Sequence, residues 1–146
     1  MTAKEYLSKI QTYRRTMETY AQRIEELYHD AMGIKAIVYD KDRVQVSPEN
    51  RFEEMMVRID TVAGRWTKAR LKYEAEVLKR VEQINGMDRP DYVEILRLRY
   101  IENDKDGRQM SLEEISCRMH LSFYRVAHLH GEALEAFRRK YLETKR

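Results

Sequence analysis

Apolar residues recur at Tyr6, Ile10, Tyr13, Met17, Tyr20, Ile24, Leu27 and Ala31, in alternating steps of four and three. That spacing keeps one stripe of a helix apolar over four heptads, while the intervening Lys, Arg, Glu, Gln and Thr leave the other faces to water. The pattern predicts a helix over residues 2–32, with Gly33 as its stop. The next stretch, IKAIVYDKDRVQVSP (34–48), loses helical periodicity and sets β-branched residues around Asp40, Lys41 and Asp42, which fits a loop or a short hairpin. Pro48 and Asn50, with Glu53 three residues further on, read as helix-start chemistry in which Asn50 caps and Glu53 reaches back. Phe52, Met55, Ile59, Val62, Trp66, Ala69 and Tyr73 then repeat the four-and-three spacing, Val77, Val81 and Ile84 extend it, and Asn85 and Gly86 close it. At ~1.5 Å per residue the two helices are roughly 45 and 50 Å long. Neither hides its stripe alone, so they pack on each other as a long antiparallel helical hairpin or against a second subunit.

The polar interruptions and aromatic residues of this front half have plain readings. Tyr, Phe and Trp serve as seam packing rather than as a ligand pocket or base-stacking platform. Arg70, Glu76 and Arg80 are solvated positions or inter-helix pairs, and His29 sits near a helix end where the dipole favours it.

Beyond Asp88, Arg89 and Pro90, the run DYVEILRLRYI predicts a compact helix burying Val93, Leu96, Tyr100 and Ile101, followed by the polar loop ENDKDGRQ. Ser111 before Leu112, Glu113 and Glu114 forms a capping box. Apolar residues at Leu112, Ile115 and Met119, then Leu121, then Val126 and Leu129, then Ala133, Leu134 and Phe137 describe two helices joined by a short turn, with Ser122 capping the second. Buried residues on both helices, the small Ser116 at the crossing, and Leu121 in the turn match the offsets of a helix-turn-helix. His120 stands in the turn where glycine is frequent. Cys117 reads as a small buried residue.

Composition narrows the class. Charged residues make up 36% of the 146, against only five Gly and two Pro, which fits an all-α chain. No run approaches the ~18 apolar residues of a membrane span, and MTAKEYLSKI lacks a signal-peptide core, so a cytoplasmic protein is expected with no membrane partner. One cysteine provides no disulfide, and no zinc-site spacing accompanies it. Neither a Gly-rich phosphate loop, a nucleophile with a base, nor a metal-binding carboxylate cluster stands out, so neither enzyme activity nor a cofactor or metal is expected. The net charge of +3 allows nucleic acid as a partner without demanding it.

EILRLRYIENDKDGRQMSLEEISCRMHLSFYRVAHLHGEALEAFRR, about the last third of the chain, resembles region 4 of primary sigma factors through its LRLR, LEE and terminal AL landmarks. MTAKEYL, DRVQVS, LRLRY and HGEAL together resemble phage and prophage regulators of the ArpU and RinA type, a likeness that spans nearly the whole chain. The resemblance implies a small phage-encoded protein, acting in a bacterial host, that binds double-stranded DNA and helps turn on late genes. With the helix periodicity it divides the chain into two expected regions: a long-helix hairpin for assembly over 1–86, and a sigma-region-4-like helix-turn-helix over 87–146.

The candidate DNA-contacting residues are Ser111, Ser122, Phe123, Tyr124, Arg125, Ala127 and His128. In a major groove, Ser122 suits a phosphate through the amides beside it, and Tyr124 donates to another. Phe123 or Ala127 touches a thymine methyl, His128 donates to guanine, and Arg125 clamps the backbone or pairs with a nearby carboxylate. Against this stand ordinary alternatives: Phe123 and Tyr124 packed under the preceding loop, and His128 and His130 as surface or core histidines. Arg138, Arg139 and Lys140 read as a solvated end or as phosphate contacts. Sigma region 4 opens its recognition helix with several charged contacts, and this chain has Phe123, Tyr124, Arg125, Ala127 and His128 there, which points to an operator of the protein's own. From Ser111 onward seven basic residues face five acidic ones, so one module binds weakly and a homodimer or higher oligomer through the front helices is expected to reinforce it. Two rival functions are a small terminase subunit reading packaging DNA and a sigma-like module that contacts RNA polymerase.

Overall fold

The computed structural model describes residues 1–38 and 48–143, and they are almost entirely helical. Five α-helices follow one another: α1 Ala3–Val38, α2 Pro48–Asn85, α3 Pro90–Leu96, α4 Leu112–Met119 and α5 Phe123–Phe137. Arg97–Ile101 prolongs α3 as a π-turn, and Arg138–Leu142 prolongs α5 in the same way. No strand occurs among the described residues, and the sole pairing of that kind there is an isolated antiparallel bridge between Asn103 and Gln109. No helix among them is long and apolar enough to cross a membrane.

α1 opens with a reciprocal cap: the Glu5 amide donates to Thr2 Oγ1 at 3.2 Å, and the Thr2 amide donates to Glu5 Oε2 at 2.8 Å. The helix does not stop at Gly33. It runs on to Val38, so the loop or hairpin expected for 34–48 is helical through residue 38, and residues 39–47 lie outside the described residues. A single glycine costs a helix interior only about 1 kcal/mol, too little to break one this long. His29 consequently sits inside the helix, not at its end. α2 begins at Pro48, so Asn50 is already helical and is not the cap; proline at a first helical position loses no hydrogen bond.

The contacts divide the chain into two units, one made of Met1–Thr12 with Glu74–Arg146 and the other of Tyr13–Tyr73. Residue 86, the expected boundary, lies inside the first unit. In the second unit Leu27 and Ala31 of α1 bury against Ile59 of α2, with Ile24, Phe52, Met55 and Val62 around them. The predicted stripe of each helix is the covered one there, because only that face offers enough apolar area to offset the ordering of long side chains.

The first unit holds the larger core. Ala3 and Leu7 from the first turns of α1 and Ile84 from the end of α2 share it with Ile95, Leu96, Tyr100, Met110, Ile115, Val126, Leu129 and Phe137. Each fully buried side chain of this size contributes about 1.5–3 kcal/mol. Arg80 is also inside, 1% exposed. It is not a solvated position: its Nε donates to the Tyr6 carbonyl at 3.0 Å, its guanidinium lies 4.2 Å from the centre of the Tyr6 ring, and Nη1 pairs with Glu76.

Between α3 and α4 the polar loop closes tightly on itself. The Asp104 carboxylate accepts from the Asp106 and Arg108 amides, and Gly107 takes the left-handed φ of 75° that the turn requires.

Candidate nucleic-acid interface

α4 and α5 are joined by His120, Leu121 and Ser122 alone. Ser111 Oγ accepts from the Glu114 amide and Ser122 Oγ accepts from the Arg125 amide, both at 3.2 Å, so both serines cap, while the return bond of the expected capping box, from the Ser111 amide to the Glu114 carboxylate, is absent among the described residues. His120 occupies the left-handed region at φ 55°, ψ 39°, ending α4 where glycine would be unstrained, and the Leu121 amide closes back on Ser116 O at 3.1 Å. The Ser116 hydroxyl itself donates to Glu113 O.

The two helices are held by Ile115 on one side and Val126 and Leu129 on the other, all buried. Fixing Val126 and Leu129 inward turns the beginning of α5 outward. Phe123 is 52% exposed and Tyr124 is 79% exposed, so neither packs under the preceding loop. Ser122, Arg125 and His128 are exposed as well, while Ala127 is half-buried at the edge of the same surface. Leu121, in the turn, is 38% exposed and adds an apolar edge to this surface. Ser111, Ser122, Phe123, Tyr124, Arg125, Ala127 and His128 therefore occupy the starts of two adjacent helices. Five of them, Ser122 to Arg125 and His128, are gathered on the outward opening turns of α5.

Charge on this surface is mixed. Arg125 has no ion-pair partner among the described residues, and Arg118 lies only loosely, at 3.9 Å, by Glu102, which Arg97 also approaches at 3.6 Å. His128 Nδ1 is 2.9 Å from Glu132 Oε1, and the Tyr92 hydroxyl, itself bonded by Arg89, reaches the other oxygen of Glu132 at 3.4 Å. The residue-by-residue reading missed Glu132, although its i,i+4 distance from His128 is the spacing at which helix side chains meet.

His130 differs from His128. It is largely covered, stacked on Tyr100 with ring centres 5.7 Å apart and bonded to the Tyr100 hydroxyl at 2.9 Å through Nε2. Burial, reinforced by the positive charges of Arg99 and Lys4, lowers its pKa to about 4, and burial raises that of Tyr100 to about 12. Both stay neutral near pH 7, as core groups.

The terminal cations Arg138, Arg139 and Lys140 are engaged by carboxylates of the same unit. Arg138 bonds Glu135 and Glu143, Arg139 bonds Glu135 at 3.0 Å, and Lys140 holds Asp88 at 2.8 Å and the Gly86 carbonyl at 2.5 Å. The Arg138 and Arg139 bonds hold Glu135 down at about pKa 2. Cys117 is exposed, contrary to the expectation of a buried thiol, because it falls on the side of α4 away from Ile115. Among the described residues no group of three His, Cys, Asp or Glu is placed to hold a metal ion.

Searches against protein-family models, curated proteins and solved structures return no match to this chain.

Proposed function

We propose that the protein is a sequence-specific DNA-binding regulator, with α4, the His120–Ser122 turn and α5 acting as a sigma-region-4-like helix-turn-helix and the two long helices as an antiparallel hairpin for assembly. The observation that carries this reading is the exposed face at the start of α5, presented over a buried Val126 and Leu129 and anchored by the Ser122 cap. A groove-reading helix needs that division, with the first turns free and the next turn locked to the domain. Large exposed aromatics at a helix start have no packing role inside the chain and suit thymine methyls and sugar–phosphate edges.

His128 acquires a more specific role from Glu132. In the neutral ring Nδ1–H donates to the carboxylate, leaving Nε2 as an acceptor for the amino group of adenine or cytosine; the protonated ring donates there to guanine instead. Arg125 and Arg118 supply phosphate contacts. Late-gene activation in a phage or prophage setting is what the sequence resemblance implies.

The test is fluorescence anisotropy of the full chain on DNA tiles from its own genomic neighbourhood at several salt concentrations, beside a Tyr124→Ala, His128→Ala double variant. One tile bound tightly, with the preference lost in the variant, supports the reading. Uniform weak binding unchanged by the substitutions overturns it and redirects attention to RNA polymerase or, where the protein assembles as a large ring, to DNA packaging.

A further inference from the structure

A groove-reading helix supplies selectivity, but most of a protein's affinity for DNA comes from neutralised phosphates. The cations of α5 and its π-turn supply little of it, since Arg138, Arg139 and Lys140 are held by carboxylates. α2 offers more. Arg51, Arg58, Arg65 and Lys72 recur every seven residues, nearly two full turns, so they fall in one row along the helix, and Lys68 joins that row between the last two. All five are exposed. The row belongs to the unit formed by Tyr13–Tyr73 and lies on a different side of α2 from Ile59, which packs with Leu27 and Ala31.

An ordinary solvated helix face alternates charges of opposite sign. Here the row sets five cations against one carboxylate, Glu54, a net of +4 on a chain whose whole formal charge is +3. From 55 to 73 the only carboxylate is Asp60, and a step of two residues from Arg58 carries it ~200° around the helix, to the opposite side. Arg51, Arg58, Arg65 and Lys68 have no ion-pair partner among the described residues. On α1, Glu18 and Glu26 are taken by Arg14 and Arg23 of their own helix.

We infer that this row of α2 is a second nucleic-acid contact, one that lies on the phosphate backbone of double-stranded DNA and reads no bases. Spacing selects the partner. Cations seven residues apart stand ~10 Å from one another, too far to converge on a single phosphate or nucleotide, and the row extends over roughly 30 Å, as a polyanion does. The arginine fork matches phosphate oxygens. A lipid surface calls for large apolar side chains inserted among the cations, whereas the places between them on this face go to Glu54, Thr61 and Lys68. The phosphate contact stands on the row itself; naming the polymer as DNA rests on the groove reading of α5.

The experiment is fluorescence anisotropy of the full chain on its genomic tiles and on a duplex of scrambled sequence, over a series of salt concentrations. Arg58→Gln, Arg65→Gln and Lys68→Gln in one chain should weaken binding to every duplex alike, by about tenfold or more at low salt, and should lower the slope of log affinity against log salt by about two to three, with helicity by circular dichroism unchanged. A control chain that loses the same charge elsewhere, through Lys9→Gln, Arg15→Gln and Lys105→Gln, should stay close to the parent. Unchanged affinity and slope on the scrambled duplex in the row variant overturns the inference. An equal loss in the control chain also overturns it, because net charge alone then accounts for the effect. Binding of phosphatidylserine vesicles or of duplex RNA that depends on the row, with DNA binding that does not, overturns DNA as the partner. The two readings fail separately: row-dependent binding without a preferred tile removes the groove reading and keeps this contact, and a preferred tile whose affinity ignores the row removes this contact alone.

Discussion

Arg80 sits over Tyr6, its guanidinium carbon 4.2 Å from the ring centre, while its Nε bonds the Tyr6 carbonyl at 3.0 Å. A buried guanidinium is tolerated because ring, carbonyl and the Glu76 carboxylate together replace its water. Arg80→Ala removes that charge and its bonds to the Tyr6 carbonyl and Glu76 and leaves a cavity, and should cost about 3 kcal/mol in urea unfolding. Arg80→Met, which keeps apolar volume over the ring, should cost less. Equal losses for the two would show that packing is not what Arg80 contributes.

His120 ends α4 with a left-handed backbone at φ 55°, a conformation that costs a side chain with a Cβ about 1 kcal/mol and glycine nothing. His120→Gly should therefore raise thermal stability modestly, and His120→Val should lower it by more, since β-branching makes that region worse. Differential scanning calorimetry of the two variants beside the parent checks the ordering.

The His130–Tyr100 pair sets a pH window. The folded pKa of His130 is depressed to about 4 from an ordinary 6.5, because burial and nearby cations oppose its charge. The unfolded chain therefore takes up this proton first, so the contribution is complete above about pH 6.5 and is lost as the pH falls toward 4. Tyr100, raised from 10 to about 12 by burial, contributes below pH 10 and loses that contribution as the pH climbs toward 12. Melting curves between pH 4 and 7 should steepen around this range in the parent and flatten in His130→Gln. An unchanged acid slope in the variant would assign the acid sensitivity to other groups.

The two ends of the first turn of α5 should separate stability from binding. Ser122→Ala deletes the bond to the Arg125 amide and should lower stability by about 1 kcal/mol. Tyr124→Ala, at a side chain 79% exposed, should change it by less than about 0.5 kcal/mol while reducing DNA affinity. A Tyr124→Ala variant that unfolds as readily as Ser122→Ala would place Tyr124 in the fold and not on a reading face.

What the linear order of residues determined was whatever depends on near neighbours along a helix. The four-and-three spacing of Tyr6 through Ala31 and of Phe52 through Ile84 marks the covered stripe of each long helix, because 3.6 residues per turn aligns those positions whatever they meet. Ser111 and Ser122 cap the helices that follow them for the same local reason, and Val126 and Leu129 turn inward as their spacing indicates. Even the Thr2–Glu5 cap, overlooked in the pattern, was readable from its spacing alone.

Tertiary structure decided everything that depends on partners distant in sequence. Leu7 and Phe137 share one core, and Arg80 is buried because Tyr6 lies over it, which no periodicity of α2 announces. Helix continuation through Gly33 is likewise a matter of balance: one unfavourable residue is outweighed when the turns on both sides are helical. Arg138, Arg139 and Lys140 form one basic run on paper, yet Lys140 is held by Asp88 from 52 residues away. Phe123 and Tyr124 have the composition of core residues and stand in solvent, because hydrophobicity sets the tendency to be buried while the crossing of α4 and α5 sets which side chains are within reach of the core.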